Sequence, residues 1–202
     1  MAQTIITIDT SQLEKLAKEF DGFDKEVAEA AFHALNRTVD HVFTQIGRIV
    51  PKHYAIKKKD VTETLKKKKP NSSNLEASVI STGRRLSFAH FPFTPKTPRR
   101  GKRTPTVMVK IKQEKGKVRS RQGFVASTGA KSADKIQYNV FKRLGKSRLP
   151  IAPIRTLSVP QMITNAKVAE EIQKSAQAML EQRMQHEMIR IMTSIDKNIK
   201  GK

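Results

Sequence analysis

Cysteine is absent from all 202 residues. That excludes a disulfide framework, a thiolate metal site and a cysteine nucleophile. Apolar residues are scarce too, at 37%, against a usual share of about 45–50% that also counts glycine. No run of about 18 apolar residues occurs, so no segment is expected to span a membrane. The start, Met1-Ala2-Gln3-Thr4-Ile5, has no basic stretch followed by an apolar one, and no signal peptide is expected. Acid is in short supply: 18 Asp+Glu stand against 40 Lys+Arg, a formal net charge of +22. The remaining expectation is a very basic, soluble, intracellularly made α+β protein with one domain of ordinary size.

The arrangements that carry catalysis are missing as well. None of His33, His41, His53, His90 and His186 pairs with a carboxylate in an HExxH spacing, and no Asp/Glu cluster offers hard-metal ligands. No glycine-rich phosphate loop and no GxSxG elbow is present. Residues 46–121 contain only Asp60, Glu63, Glu76 and Glu114 as general bases, whereas an active site needs convergent titratable groups. The chain is expected not to be an enzyme, with no catalytic residue, metal, cofactor or small-molecule substrate.

What is there is periodic. Thr4–Ile8 alternates and reads as a strand. Asp9 or Thr10 can cap a helix over Ser11–Phe20, with Glu14 closing a capping box and Asp21-Gly22 ending it. A longer helix is expected from Phe23 to Val50. Its apolar residues Val27, Ala31, Leu35, Val39, Val42, Ile46 and Ile49 fall three or four apart. Ala28, Phe32 and Phe43 widen that face for two neighbours, and Pro51 marks the end. Lys58–Leu65 suggests a helical turn, and 66–74 a polar connector. Leu75–Thr82, Thr106–Gln113, Val118–Ser127 and Ile136–Leu144 read as strands, with Glu114–Lys117 as a hairpin turn. Residues 83–105, with four prolines, read as an extended or mobile loop.

From Pro160 the spacing predicts one long helix to about Ile199. Forty residues would span about 60 Å, longer than a domain of this size is wide, so part of it is expected on another subunit. Five of the seven methionines lie there, at Met162, Met179, Met184, Met188 and Met192. They suit either an adaptable interface or gap-filling in a core. Met179, Met184, Met188, Ile191 and Ile195 are the candidate interface residues. The expected architecture is an antiparallel sheet packed with the long helix of the N-terminal half. Residues 1–160 form this α+β body, with basic loops at about 66–74 and 83–105, and 161–202 form a C-terminal amphipathic helical arm.

Charge is unevenly placed. Residues 1–45 have a net charge of −4, residues 46–121 +18, residues 122–159 +6 and residues 160–202 +2. The middle block faces either solvent or an anionic partner, nucleic acid or an acidic protein surface. Its candidate contact residues are Lys57, Lys58, Lys59, Lys66, Lys67, Lys68, Lys69, Arg84, Arg85, Arg99, Arg100, Lys102 and Arg103. Phe88, Phe91 and Phe93 among these cations could stack bases; pinning the loop to the body is the favoured reading, with His90 a bystander.

Several blocks carry a family likeness. Ala34-Leu35-Asn36-Arg37-Thr38 and Tyr54-Ala55-Ile56-Lys57-Lys58-Lys59-Asp60-Val61 resemble the opening of the phage minor tail protein Z family. Gly83-Arg84-Arg85-Leu86-Ser87-Phe88-Ala89-His90-Phe91, Gly123-Phe124-Val125-Ala126 and Val140-Phe141-Lys142-Arg143 resemble its next blocks. Arg148-Leu149-Pro150-Ile151 and Leu157-Ser158-Val159-Pro160-Gln161-Met162 are similar to its strongest stretch. The blocks come in order over about residues 30–165. The loop at 94–105 is unusually basic and is expected to be peculiar to this member, and the helix after about Met179 lies outside the likeness.

The resemblance implies a structural virion protein of a long-tailed phage or prophage, a tail completion protein at the neck or head-proximal end. It implies support for head–tail joining and DNA passage, and assembly in the bacterial host cytoplasm. The partners expected are further copies in a six-fold homo-oligomeric ring and tail terminator, tail-tube or connector proteins. Non-specific contact with phage DNA is a further expectation. The alternative is a sequence-independent nucleic-acid-binding protein.

Overall fold

The apolar stripe between Val27 and Val50 forms a helix, α1 (Asp24–His53). The computed structural model describes residues 2–8, 24–71, 74–99, 106–132 and 135–200; the helix expected over Ser11–Phe20 lies outside them. Ala30, Ala31, Ala34, Leu35, Val39, Val42, Ile46, Ile49 and Val50 are all buried, a band wider than one face needs. Two neighbours fill it, a second long helix on one side and a sheet on the other. Of the residues expected to widen the face, however, Ala28 is exposed and Phe32 and Phe43 are half-buried. Buried Thr38 donates its hydroxyl hydrogen to the Ala34 carbonyl at 2.8 Å, which satisfies a polar group inside the helix pair. Pro51, the expected terminus, lies inside the last turn instead. Proline removes one backbone donor there, and Tyr54 N–H still donates to the Val50 carbonyl at 2.9 Å.

The sheet beside α1 has the order β1-β3-β2, with β1 (Ala2–Thr7), β2 (Leu65–Lys68) and β3 (Ser78–Gly83) all antiparallel. β2 corrects the expected polar connector and loop at 66–74. Leu65 is buried and anchors the strand, and Lys66, Lys67 and Lys68 pair with Ile80, Val79 and Ser78 of β3. An edge strand of lysines satisfies one row of backbone groups and faces water with the other. A short helix, α2 (Lys58–Thr62), leads into it and buries Val61.

Two further three-stranded antiparallel sheets follow: β4 (Phe93–Thr94), β5 (Val107–Val109) and β6 (Val118–Ser120), then β7 (Phe124–Ser132), β8 (Lys135–Arg143) and β9 (Ile151–Pro153). The strand expected over Val118–Ser127 is therefore two strands in different sheets. The chain turns between them at Arg121–Gly123. A side chain at Gly123 would meet Ser120 Oγ at 2.5 Å and Val140 Cγ1 at 2.8 Å, so the close approach requires glycine. The expected extended loop at 83–105 is in part ordered. Phe88–His90 forms a single 3-10 turn, and Phe91 and Phe93 are buried in the core. The aromatics pin the segment to the body.

The helix predicted from Pro160 is broken in two, α3 (Val159–Ile163) and α4 (Ala166–Lys200). Ser158 starts α3 with a reciprocal cap. Gln161 N–H donates to Ser158 Oγ at 3.4 Å, and Ser158 N–H donates to Gln161 Oε1 at 3.0 Å. Thr164 donates its hydroxyl to the Pro160 carbonyl at 3.2 Å as α3 ends. α4 then runs antiparallel to α1, with Lys52 and His53 at Glu171 and Glu29 at Arg190. Val168, Ile172, Ala176, Leu180 and Met184 are buried. Full burial of such larger apolar side chains contributes about 1.5–3 kcal/mol each. At least this part of the expected arm is core of its own subunit.

Candidate polyanion-contact surface

The folded chain sorts its cations into two groups. The first is neutralised locally. Asp40 of α1 accepts from Lys67 Nζ at 2.6 Å and from Lys69 Nζ at 3.4 Å. The Lys67 hydrogen bond and the charges of both lysines hold its carboxyl below the usual range, against the opposing effect of burial. Lys67 Nζ also lies 4.6 Å from the Phe43 ring centroid. Lys68 binds Glu76 at 3.1 Å, and Lys59 lies 3.8 Å from Glu63. Lys52 and His53 share Glu171, whose carboxyl is lowered by the His53 hydrogen bond first and Lys52 next.

The second group is open. Lys57, Lys58, Lys66 and Arg84 are exposed and form no ion pair among the described residues. Arg85 Nε donates to the Thr156 carbonyl at 2.9 Å, a neutral partner that fixes the side chain and leaves its charge. Arg99 is exposed at the rim of a cleft, whereas Arg100, Lys102 and Arg103 lie outside the described residues. His90 Nδ1 is 3.4 Å from Asp60 Oδ2.

The cleft, about 450 Å³, lies between the β4-β5-β6 sheet and the β7-β8-β9 sheet. Arg99, Arg121 and Arg143 line it together with Gln122 and Phe124, and among the described residues no carboxylate does so. Arg143 Cζ stands 5.0 Å from the Phe124 ring centroid, which holds the guanidinium against the wall without cancelling its charge. Arg121 and Arg143 are site residues that sequence reasoning passed over. Each is isolated from the lysine runs; the signal was Gly123, whose tight turn brings Arg121 beside the third sheet.

The candidate interface residues are divided as well. Met184 is 3% exposed within this chain's own core, so its side chain is not on the outer surface. Its place in the helical period, four after Leu180, turns it toward α1. Met179 is half-buried, and Met188 and Ile191 pack partly against the core. The side chain of Ile195 lies outside the described residues. Among the described residues the exposed large apolar side chains of α4 are instead Ile189, 65% exposed, and Met192, 47% exposed.

Among the described residues no group of three His, Asp or Glu side chains could hold a metal ion, and no helix is long and apolar enough to cross a membrane. The described chain is a mixed α+β body with a charge-sorted surface. Residues 11–197 match prophage minor tail protein Z (GPZ), nearly the whole chain. The chain belongs to this family of phage tail structural proteins and is a virion component. The match extends past Met179, into the part of α4 that the sequence blocks did not reach. No curated protein and no solved structure matches the chain.

Proposed function

We propose that this tail protein completes the head-proximal end of the tail, where it supports head–tail joining and the passage of DNA. The observation that carries the reading is the family match across 11–197; the uneven charge of the surface supports it. A six-fold ring is the assembly proposed, because a heterologous interface repeated by rotation closes on itself. The acidic first 45 residues and the basic middle of the chain suit such head-to-tail contact, with tail terminator, tail-tube or connector proteins above and below. Shape and contact are the whole of the role.

Deletion of the gene from an inducible prophage tests it. Electron micrographs are expected to show filled heads and tails of normal length, with few infectious particles, and added purified protein is expected to restore infectivity. Missing tails or tails of altered length would move the protein to tube assembly. Unchanged titre together with tight monomeric binding of nucleic acid would favour the sequence-independent nucleic-acid-binding reading.

A further inference from the structure

We propose that the cleft between the second and third sheets is a phosphodiester-binding site, in which Arg99, Arg121 and Arg143 clamp the backbone of a nucleic acid without reading its sequence. Three arginines from separate stretches of chain line one concavity, and none of their side chains has a hydrogen bond or ion pair among the described residues. Like charges gathered without a counter-charge repel one another, so the arrangement is stabilised by an anion. Guanidinium groups match the planar, two-oxygen face of a phosphodiester.

The surroundings select among anions. A protein partner normally places an apolar or aromatic anchor at the centre of its interface. Among the described residues the exposed large apolar side chains are Ile5, Val118, Ile136, Leu144, Leu149, Ile189 and Met192, and none lines the cleft, whose apolar lining is Pro95, Pro98, Phe124 and the buried Val107 and Val125. Base stacking is disfavoured as well, because Arg143 occupies the Phe124 ring at 5.0 Å. Neighbouring exposed cations extend the field: Lys96, Lys115, Lys117 and Arg119 stand on the same sheet or its loops. What fits is a repeating phosphate charge, bound through backbone contacts that position without specifying. The identity of the polyanion agrees with the reading of a protein on the DNA path; the site itself is tested apart from it.

The test uses the full chain and a short fluorescent DNA duplex of arbitrary sequence, with affinity measured across a salt series. Arg99→Gln/Arg121→Gln/Arg143→Gln is compared with Lys142→Gln/Lys146→Gln/Lys174→Gln, which removes the same charge from exposed positions outside the cleft and outside the candidate contact residues. The cleft triple is expected to weaken binding by more than about tenfold and to flatten the salt slope by about 2–3, one phosphate contact per arginine. The lysine triple is expected to lose less than about threefold. Equal losses would overturn the proposal, since net charge alone would then explain them. Unchanged binding by the cleft triple, with a polyglutamate peptide displaced by the same substitutions, would assign the cleft to an acidic protein and overturn it too. Arg121→Gln alone, at an exposed position, repeats the comparison should the triple fail to fold. A deletion phage with joining defects but a wild-type chain that ignores DNA would sink the site and leave the tail role standing.

Discussion

His53 Nε2 lies 2.9 Å from Glu171 Oε2, so the last turn of α1 is tied to the first turns of α4. Lys52 Nζ holds the other carboxylate oxygen at 3.1 Å. The contact is half-exposed, and pairs of that kind contribute about 0.2–1 kcal/mol. Glu171→Gln is therefore expected to lower Tm by about 1–3 °C at neutral pH, read by thermal unfolding. The pH dependence follows from the direction of the shift. The folded carboxyl lies below the ordinary glutamate value of 4.5, so its stabilisation is complete above that value and is lost as pH falls through the folded one. The gap between variant and wild type should close below that range. A gap that persists in acid would mean that the charge is not what joins the helices.

The burial of α4 leads to a prediction about length. Ending the chain at Gln177 removes Leu180 and Met184 and uncovers the N-terminal half of α1. Such a chain is expected to be insoluble or to lack cooperative unfolding. Within the full chain, Leu180→Ala is expected to cost about 2–5 kcal/mol in urea denaturation. Ile189→Ala, on the exposed side, is expected to stay within about 0.5 kcal/mol of wild type. A soluble, cooperatively folding truncated chain would show that α4 is dispensable to the subunit.

Gly123→Ala tests the turn that builds the cleft. The added methyl would lie 2.8 Å from the buried Val140 Cγ1 and 2.5 Å from Ser120 Oγ. The serine can rotate away; the valine, fully buried, has nowhere to go. A loss of about 1–3 kcal/mol is expected by denaturant titration. No loss would mean that the third sheet can shift relative to the second.

Ser158→Ala removes the hydroxyl that accepts from Gln161 N–H at 3.4 Å. A lost N-cap costs about 0.5–2 kcal/mol, and Ser158 is completely buried, so the upper half of that range is expected. Replacement by Asn, which restores an accepting oxygen, should recover part of it. Equal stability of the Ala and Asn variants would deny the cap its role.

The sequence carried the helices better than the sheets. The three-and-four spacing from Val27 to Val50 marks α1, because one long element buries its stripe against neighbours on both sides. β2 escaped because alternation is visible only where polar and apolar residues take turns, and Lys66 to Lys69 offer no contrast. The break between α3 and α4 escaped for the opposite reason. Met162, Ala166 and Ala169 keep helical spacing straight across it, and the interruption depends on Thr164 bonding back to Pro160. The cleft could not be read from charge runs. Arg121 and Arg143 are 22 positions apart, and only the packing of two separate sheets puts them side by side.

The lysine-bearing edge of the first sheet also bears on how this molecule meets another copy. A second copy adding its own strand to β2 would set Lys66, Lys67 and Lys68 against their counterparts, of which only Lys66 lacks a carboxylate partner among the described residues of its own chain. Growth by strand addition is thus disfavoured along β2. A partnership through this sheet is thereby steered toward the β1 edge.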